Sequence, residues 1–338
     1  MSDENSFRIG VDIGGTFTDI VLLGGDDTIH TKKISSSTGD YARAIVDGLD
    51  EVFRETGLTG RDVDQIRHGT TVASNAILEG KGARVGLITT AGFRDVLELR
   101  TLRMPRLYDM SWEKPLPLVE RYLRRTVDER VKASGEVERA LDMADARAQV
   151  QAVVDEGVEA IAVCLINAFA NPAHELMIKQ AIEELAPDLV HCISYEVLPE
   201  IKEYERTSTT VINAYVMPIV ATYLKALRLG LDAAGIPAPL LRMQSNGGLT
   251  KDRAAAERPI NINESGPAGG VVGAQAIADA KARERIITFD MGGTTAKASL
   301  VEDGSVLRAQ EYAVGAGIMI GSRLLSGAGY ALKVPAID

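Results

Sequence analysis

Two short apolar runs, RIGVDI (8–13) and FTDIVLL (17–23), flank a Gly-Gly turn and predict a β-hairpin. Downstream, YARAIVDGLDEVFRET (41–56) sets Ile45, Leu49 and Val52 on one face at helical spacing, with Asp40 as its cap. HGTTVASNAILEG (68–80) reads as a strand end, a polar turn and a short helix. RVGLITT (84–90) predicts a strand and GFRDVLEL (92–99) a helix. Residues 101–130, rich in Arg and Pro, read as a long loop or insertion. AIAVCLI (160–166) is a buried strand, and residues 171–187 a helix with Asn171 as cap and Pro172 at its first position. The longest helical pattern spans 203–235, where Pro218 is predicted to kink or divide it. PLLRMQSNGG (239–248) is a strand ending in a turn, and GPAGGVVGAQAIADA (266–280) a glycine-rich turn that continues as a helix.

The pattern closes where it began. RIITFDMGGTTAKASLV (285–301) repeats the opening order of strand, Asp, x, Gly, Gly, Thr, strand. Alternating strands and helices give an α/β chain with mixed sheets. A boundary near residue 200 divides it into lobes 1–200 and 201–338, each holding one hairpin.

Composition narrows the partners. The net charge of -10 over 338 residues argues against nucleic acid or an anionic membrane surface, which need clustered Lys and Arg. Cys164 and Cys192 each sit in an apolar run and read as buried thiols of a reducing compartment. The acidic start MSDENS carries no signal-peptide pattern, and residues 207–224 hold too much Thr and Asn for a membrane span. A cytoplasmic location is expected.

The repeated hairpin carries the chemistry. Glycines let a phosphate approach the main chain and expose successive N–H groups, and threonines add hydroxyl donors. An aspartate beside such a site repels phosphate unless a divalent cation lies between them. Asp12 and Asp290 are therefore candidate Mg2+ ligands and water-ordering carboxylates. Gly14, Gly15, Thr16 and Thr18 are placed on one side of a nucleotide's phosphates, and Gly292, Gly293, Thr294 and Thr295 on the other. Two ordinary β-turns are the alternative. The P-loop order is absent, since no Lys-Ser/Thr and helix follow the glycines.

At these residues the chain resembles the actin, Hsp70 and sugar-kinase ATPase superfamily, and more closely the hydantoinase A/5-oxoprolinase family. The matching stretches are DIGGTFTD (12–19), residues 68–100, EYERTSTTVINAYV (203–216), MQSNGG (243–248), NESGPAGGVVGA (263–274) and DMGGTTAKASL (290–300). The resemblance implies two actin-like, ribonuclease H-like lobes and ATP-dependent opening of a cyclic amide or imide, such as a hydantoin or 5-oxoproline. ATP phosphorylates a ring carbonyl oxygen there, and the A-type subunit works in an oligomer with a B-type subunit. A ketone-activating carboxylase subunit is the second reading, and a docking module without catalysis the third. Two departures stand out. Lys297 occupies a place where many relatives carry an acidic residue, and no later glycine-rich adenosine segment is found, so the chain reads as an N-terminal portion.

The remaining candidates keep two readings each. Ser265, Gly266 and Gly269 open a helix whose N–H groups and dipole suit an anion, or are small residues for close packing. His68, in HGTT, is a catalytic or phosphate-side residue or a hydrogen-bonded structural one. Asp19 is a further hairpin residue, structural or not. Arg100, Arg103 and Arg106, with Tyr108 and Asp109, suit a substrate carboxylate or imide oxygen, or form a solvated basic loop.

Overall fold

The computed structural model describes residues 6–36, 41–101, 108–292, 296–315 and 329–337. The chain divides into two compact units, each assembled from separate stretches. The first comprises Met1–Asn75, Ile219–Gln310 and Pro335–Asp338; the second comprises Ala76–Pro218 and Glu311–Val334. This division differs from the boundary expected near residue 200. Both Asp-x-Gly-Gly-Thr hairpins belong to the first unit.

The first unit is built on a six-stranded sheet, in the order Leu249–Lys251, Leu240–Met243, Val63–Thr70, Phe7–Ile13, Phe17–Gly24, Ile29–Ser35. The first hairpin is antiparallel, with Val11 opposite Ile20 and Asp12 opposite Asp19. The strand Val63–Thr70 runs parallel to Phe7–Ile13, setting His68 beside Val11 and Gly69 beside Asp12. Successive strand residues face opposite sides, so Ile9, Val11, Ile13, Ile20 and Leu22 form one buried layer while Asp12 faces the other way. The helix Tyr41–Thr56 lies over that layer and buries Ile45, Leu49 and Val52, the three positions its spacing picks out. Gly48 permits the approach, since a Cβ there would stand 2.6 Å from Ile20 Cδ1 and 2.7 Å from Ile34 Cδ1. Each fully buried Ile, Leu or Val contributes about 1.5–3 kcal/mol, so Ile20→Asp would break this layer. The proposed cap Asp40 lies outside the described residues.

A second sheet in this unit joins Ile286–Met291, Ala296–Glu302 and Ser305–Val306 in antiparallel order, with Asp290 opposite Lys297. The glycine helix, Ser265–Ala280, packs against strands of both sheets. Its Val271 is buried with Val301 and Val306 of the second sheet.

The second unit carries a parallel sheet ordered Val190–Ile193, Ala160–Cys164, Val85–Thr90, Arg124–Val127. Parallel strands need crossovers that cover both faces, hence the unbroken apolar runs of its central strands. The helices Met143–Asp155 and Ala173–Leu185, which pack against each other, supply part of this cover, and the long helix Glu203–Ala233 reaches Cys164 and Cys192 through Thr207 and Thr210. Asn171 Oδ1 accepts from Ala173 N at 3.1 Å, but the helix begins at Ala173, so Pro172 rather than Asn171 is the residue at its cap. The 101–130 stretch is only partly loop. It ends in the strand Arg124–Val127, whose buried Arg124 pairs with Glu98 at 3.0 Å. Within GFRDVLEL, only Val96–Leu99 is α-helical. Cys164 and Cys192 are free, buried thiols; burial raises the Cys192 pKa to about 12.

The long helix runs Glu203–Ala233 without a break at Pro218, and the division between the units falls immediately after that proline. It is the one described helix long and apolar enough to cross a membrane, and 61% of the relevant window is buried within the protein.

Candidate active site

Asp12 sits next to the end of its strand, on the face turned away from Val11. Two backbones press on its carboxylate. A Cβ on Gly69 or on Gly266 would stand 2.9 Å from Asp12 Oδ1. The strand end His68-Gly69-Thr70 and the start of the glycine helix thus converge on one oxygen, and a side chain at either point would displace the Asp12 carboxylate. As a whole residue Asp12 is solvent-exposed, but its carboxyl is crowded. That crowding raises its pKa, as do the nearby charges of Asp290 and then Asp19, with Lys33 pulling the other way. The two hairpin aspartates therefore sense each other within the first unit.

The turn after Asp12 is tied at one end. Gly14 N donates to Phe17 O at 2.9 Å, and Ser36 Oγ donates to Gly14 O at 2.9 Å. Gly15 and Thr16 are exposed. Thr18 does not join them: its hydroxyl is buried and hydrogen-bonded to Ser36 Oγ at 2.9 Å, on the face of Ile20. It reaches the layer under the helix and not the phosphate side, because it lies an odd number of residues from Asp19's face. Asp19 pairs with Lys33 at 2.7 Å on the surface.

The glycine helix is stapled to the neighbouring strand. Ser265 Oγ accepts from Thr70 N and donates to Thr70 O, both at 2.9 Å. Ser74 Oγ bonds to Asn263 O, and Glu264 N donates to Ser245 Oγ at 3.1 Å. Ser265 is thus buried and committed to the fold, while Gly266 is the residue that meets Asp12. Gly269 lies one turn further, against Met243, so close packing accounts for it.

Across the second hairpin, the Lys297 ammonium pairs with Glu264 at the same helix start. Burial lowers the Lys297 pKa to about 8 even with that carboxylate beside it. Asp290 and Gly292 complete the described part of the turn; Gly293, Thr294 and Thr295 lie outside the described residues. Asp12, Asp290, Glu264 and Lys297 thus gather around the first turn of one helix.

His68 is held differently from a catalyst. It is buried, with Nδ1 on Val11 O at 3.2 Å and Nε2 on the Tyr223 hydroxyl. Both ring nitrogens are occupied within the protein, so the catalytic role expected of His68 does not fit its placement. Tyr223 in turn lies under the guanidinium of Arg242, 5.7 Å from ring centroid to carbon, and Arg242 Nε donates to Asp252 at 2.9 Å. Burial holds the Tyr223 pKa well above its ordinary value and lowers that of Arg242 to about 10.

The expected substrate residues belong to the second unit. Arg100 Nε donates to the Tyr204 hydroxyl at 2.8 Å, and its guanidinium stacks on that ring. Its backbone is left-handed, φ 58°. Asp109 accepts from Ser111 N and Oγ at 3.0 and 2.6 Å, and Tyr108 is 94% exposed. Arg103 and Arg106 lie outside the described residues. Sequence reasoning missed the parts played by Gly69, Glu264 and Tyr223. The first two stand inside quoted motifs, whereas Tyr223 meets His68 across 155 residues with no local signal.

Residues 8–186 match the family described as Hydantoinase/oxoprolinase N-terminal region, and residues 206–338 the family described as Hydantoinase/oxoprolinase. The chain is 34% identical to caprolactamase subunit alpha of Pseudomonas jessenii, over 89% of its own length and 44% of that protein. The solved structure of the ATP-dependent caprolactamase from that organism superposes with a TM-score of 0.83 at 33% identity, covering 98% of this chain and 47% of that one. Acetophenone carboxylase gamma subunit of Aromatoleum aromaticum is 32% identical, over 88% of this chain and 43% of that protein. 5-Oxoprolinase 1 of Arabidopsis thaliana is 31% identical, over 89% and 26% respectively. The chain spans less than half the length of each of these relatives.

Proposed function

Since the chain belongs to the hydantoinase/oxoprolinase family, we propose that it carries the phosphate-handling part of an ATP-dependent enzyme that opens a cyclic amide or imide of the hydantoin, lactam or 5-oxoproline type. The observation that carries this reading is the meeting of Asp12, under the charge of Asp290, with the bare backbone of Gly266 at the start of the glycine helix. A helix start offers unpaired N–H groups and a positive dipole end to phosphate oxygens. The exposed Gly15 and Thr16 supply the facing turn.

A divalent cation fits this charge distribution. Asp12 and Asp290 repel each other, and among the described residues no three His, Cys, Asp or Glu converge to hold an ion by themselves. Magnesium is commonly held by one or two carboxylates together with substrate phosphates, and Asp12 and Asp290 would be those carboxylates. When bound, it neutralises phosphate charge. Lys297 supplies a second positive charge, and Glu264 holds it beside the helix start. His68 and Tyr223 act as positioning residues that fix the strand end carrying Gly69.

In the reaction, the amide oxygen takes the terminal phosphoryl group as the bond from that phosphorus to ADP breaks. Water then adds at the activated carbon and the ring nitrogen leaves it with a proton, opening the ring to an acyl phosphate, and a second water splits that into carboxylate and phosphate. The protein's share of the first step is positioning and charge neutralisation. We assign the water-adding step to a B-type partner subunit. Two of the relatives are themselves named as subunits. The likeness to acetophenone carboxylase supports a second reading, in which a ketone loses an α proton and takes the phosphoryl group on its enolate oxygen, and its α carbon then bonds to carbon dioxide as phosphate is released to water.

The test is ADP release by the complete subunit with its partner, across hydantoins, lactams, 5-oxoproline and ketones. Stimulation by a cyclic amide with a ring-opened product is expected. Bicarbonate-dependent turnover of a ketone would transfer the assignment to the second reading. No stimulation by any of these compounds overturns both.

A further inference from the structure

Arg100 closes the short helix Val96–Leu99 with φ 58° and ψ -142°, close to a region held almost only by glycine. Strain of this kind persists where the surroundings fix it, and it gathers at ligand sites. The fixing contacts are plain. The Arg100 guanidinium carbon stands 5.7 Å from the centroid of the Tyr204 ring, Nε donates to the Tyr204 hydroxyl at 2.8 Å, and Nη2 donates to Gly329 O. Nη1 is buried and has no hydrogen-bond partner in the protein. Both partners that Arg100 does have are neutral, so its charge is held without a carboxylate among the described residues. An arginine kept only for the fold would spend all its buried donors, since each one left over is costly.

Arg100 lines a cavity of the second unit whose apolar walls are Leu97, Pro115, Pro117, Leu118 and Val211. The hydroxyls of Tyr204, Ser208 and Tyr330 line it too. Two of these hold the walls together: Ser208 Oγ donates to Ala331 O at 2.7 Å, and the Tyr330 hydroxyl donates to Leu116 O at 2.9 Å. The third is uncommitted. Tyr204 is 8% exposed, and its oxygen accepts from Arg100, which leaves its own proton free to donate. Two buried donors, Arg100 Nη1 and the Tyr204 hydroxyl, thus border one apolar space. The space is narrow, about 10 Å³, enough for a head-group oxygen and not for a ring.

We infer that this cavity binds the carboxylate of a small ligand, with one oxygen on Arg100 Nη1 and the other on the Tyr204 hydroxyl. A carbonyl brings one oxygen and no charge. A carboxylate accepts from both donors and supplies the counter-charge that Arg100 lacks, and hydrogen bonds between charged groups are the strong ones. The body of the ligand lies at the mouth, since the cavity admits only its head group. The site uses residues of the second unit alone and needs neither nucleotide nor Asp12. It therefore goes beyond the proposed reaction, and the two can fail separately.

Titration calorimetry of the complete subunit without nucleotide tests it with three compounds. They are 5-oxoproline, 2-pyrrolidinone (the same ring without the carboxylate) and pentanoate (a carboxylate without the ring). Both acids are expected to bind about tenfold or more tightly than 2-pyrrolidinone. Tyr204→Phe keeps the ring under the guanidinium and removes only the hydroxyl; it is expected to weaken both acids and leave 2-pyrrolidinone as it was. Arg100→Gly suits the backbone at that position and is expected to abolish the preference for acids, with a Tm within a few degrees of the parent. Tighter binding of 5-oxoproline than of pentanoate makes the ligand a ring compound; equal or weaker binding makes it a free acid read by its carboxylate alone. Acids bound no more tightly than 2-pyrrolidinone overturn the inference and leave the cavity to water. A preference for acids that survives undiminished in either variant also overturns it and returns Arg100 to the fold.

Discussion

Asp12 Oδ1 lies where a side chain on Gly266 would have to begin: a Cβ there would stand 2.9 Å from it, and a Cβ on Gly69 at the same distance. The carboxylate end of a flexible side chain is the group that must give way. Gly266→Ala is therefore expected to displace Asp12 more than to unfold the protein. Titration calorimetry of the complete subunit with Mg-ATP should show affinity down about tenfold, equivalent to about 1.4 kcal/mol, while Tm falls by only a few degrees. A Gly266→Ala variant that binds Mg-ATP as tightly as the parent would remove the helix start from the phosphate site.

Asp12→Asn separates the cost of the carboxylate from its use. Crowding and the charges of Asp290 and Asp19 raise the Asp12 pKa in the folded protein. A raised pKa means that the native state binds this proton more readily than the unfolded chain. The group's stabilising contribution is present below the ordinary carboxylate pKa and is lost as pH rises through the folded value. At pH 7 the ionised carboxylate thus disfavours the native state, and Asp12→Asn should melt higher than the parent without nucleotide. The gap should close as pH is lowered through the folded pKa towards the ordinary value. Mg-ATP binding should be lost in the same variant. Thermal melts from pH 3.5 to 8, with calorimetry at pH 7, check both halves.

Lys297 and Glu264 form a pair whose members should respond differently. If the ammonium serves phosphate, Lys297→Met lowers Mg-ATP affinity by roughly tenfold, the size of a partly buried charge-assisted contact. Glu264→Gln removes a negative charge from the same helix start and should leave affinity unchanged or improve it. Both variants lose the same ion pair, so equal losses in the two would assign the pair to fold stability alone. Calorimetry on the two variants and their double mutant gives the comparison.

Much of this arrangement is legible in the sequence, where it rests on short-range periods. The hairpins are marked by apolar runs around Gly-Gly, the helix over the first sheet by Ile45, Leu49 and Val52, and the relation of Asp12 to Asp290 by repetition. The division into units is not legible, because Ala76–Pro218, most of the second unit, interrupts the sequence of the first. The boundary drawn near residue 200 falls between the two family matches, 8–186 and 206–338, whereas the compact units interleave along the chain. The strand Arg124–Val127 was hidden by its two arginines, one of which is buried against acidic side chains. His68 misled for a related reason. Its neighbour Gly69 reaches the site, and Thr70 touches it through its backbone at Ser265, but strand alternation turns the side chain of His68 into the opposite layer beside Val11.

Tyr223→Phe tests that last placement. The Tyr223 hydroxyl is buried and bonded to His68 Nε2, and its removal leaves that nitrogen without its partner. An unsatisfied buried polar group costs about 1–3 kcal/mol, so Tm should fall by several degrees. If His68 only fixes the strand end, the folded variant keeps the shape of its pH–rate profile, and kcat falls less than tenfold through slight displacement of Gly69. A catalytic His68 predicts something else. Its ring would lose the hydroxyl that sets its tautomer, the limb of the profile near the histidine pKa would shift, and kcat would fall by the 10²–10⁴ typical of a general acid or base. Melting curves and pH–rate profiles of the complete subunit, recorded for Tyr223→Phe beside His68→Gln, distinguish the two: matching stability losses with unshifted profiles mark positioning, and a shifted limb marks catalysis.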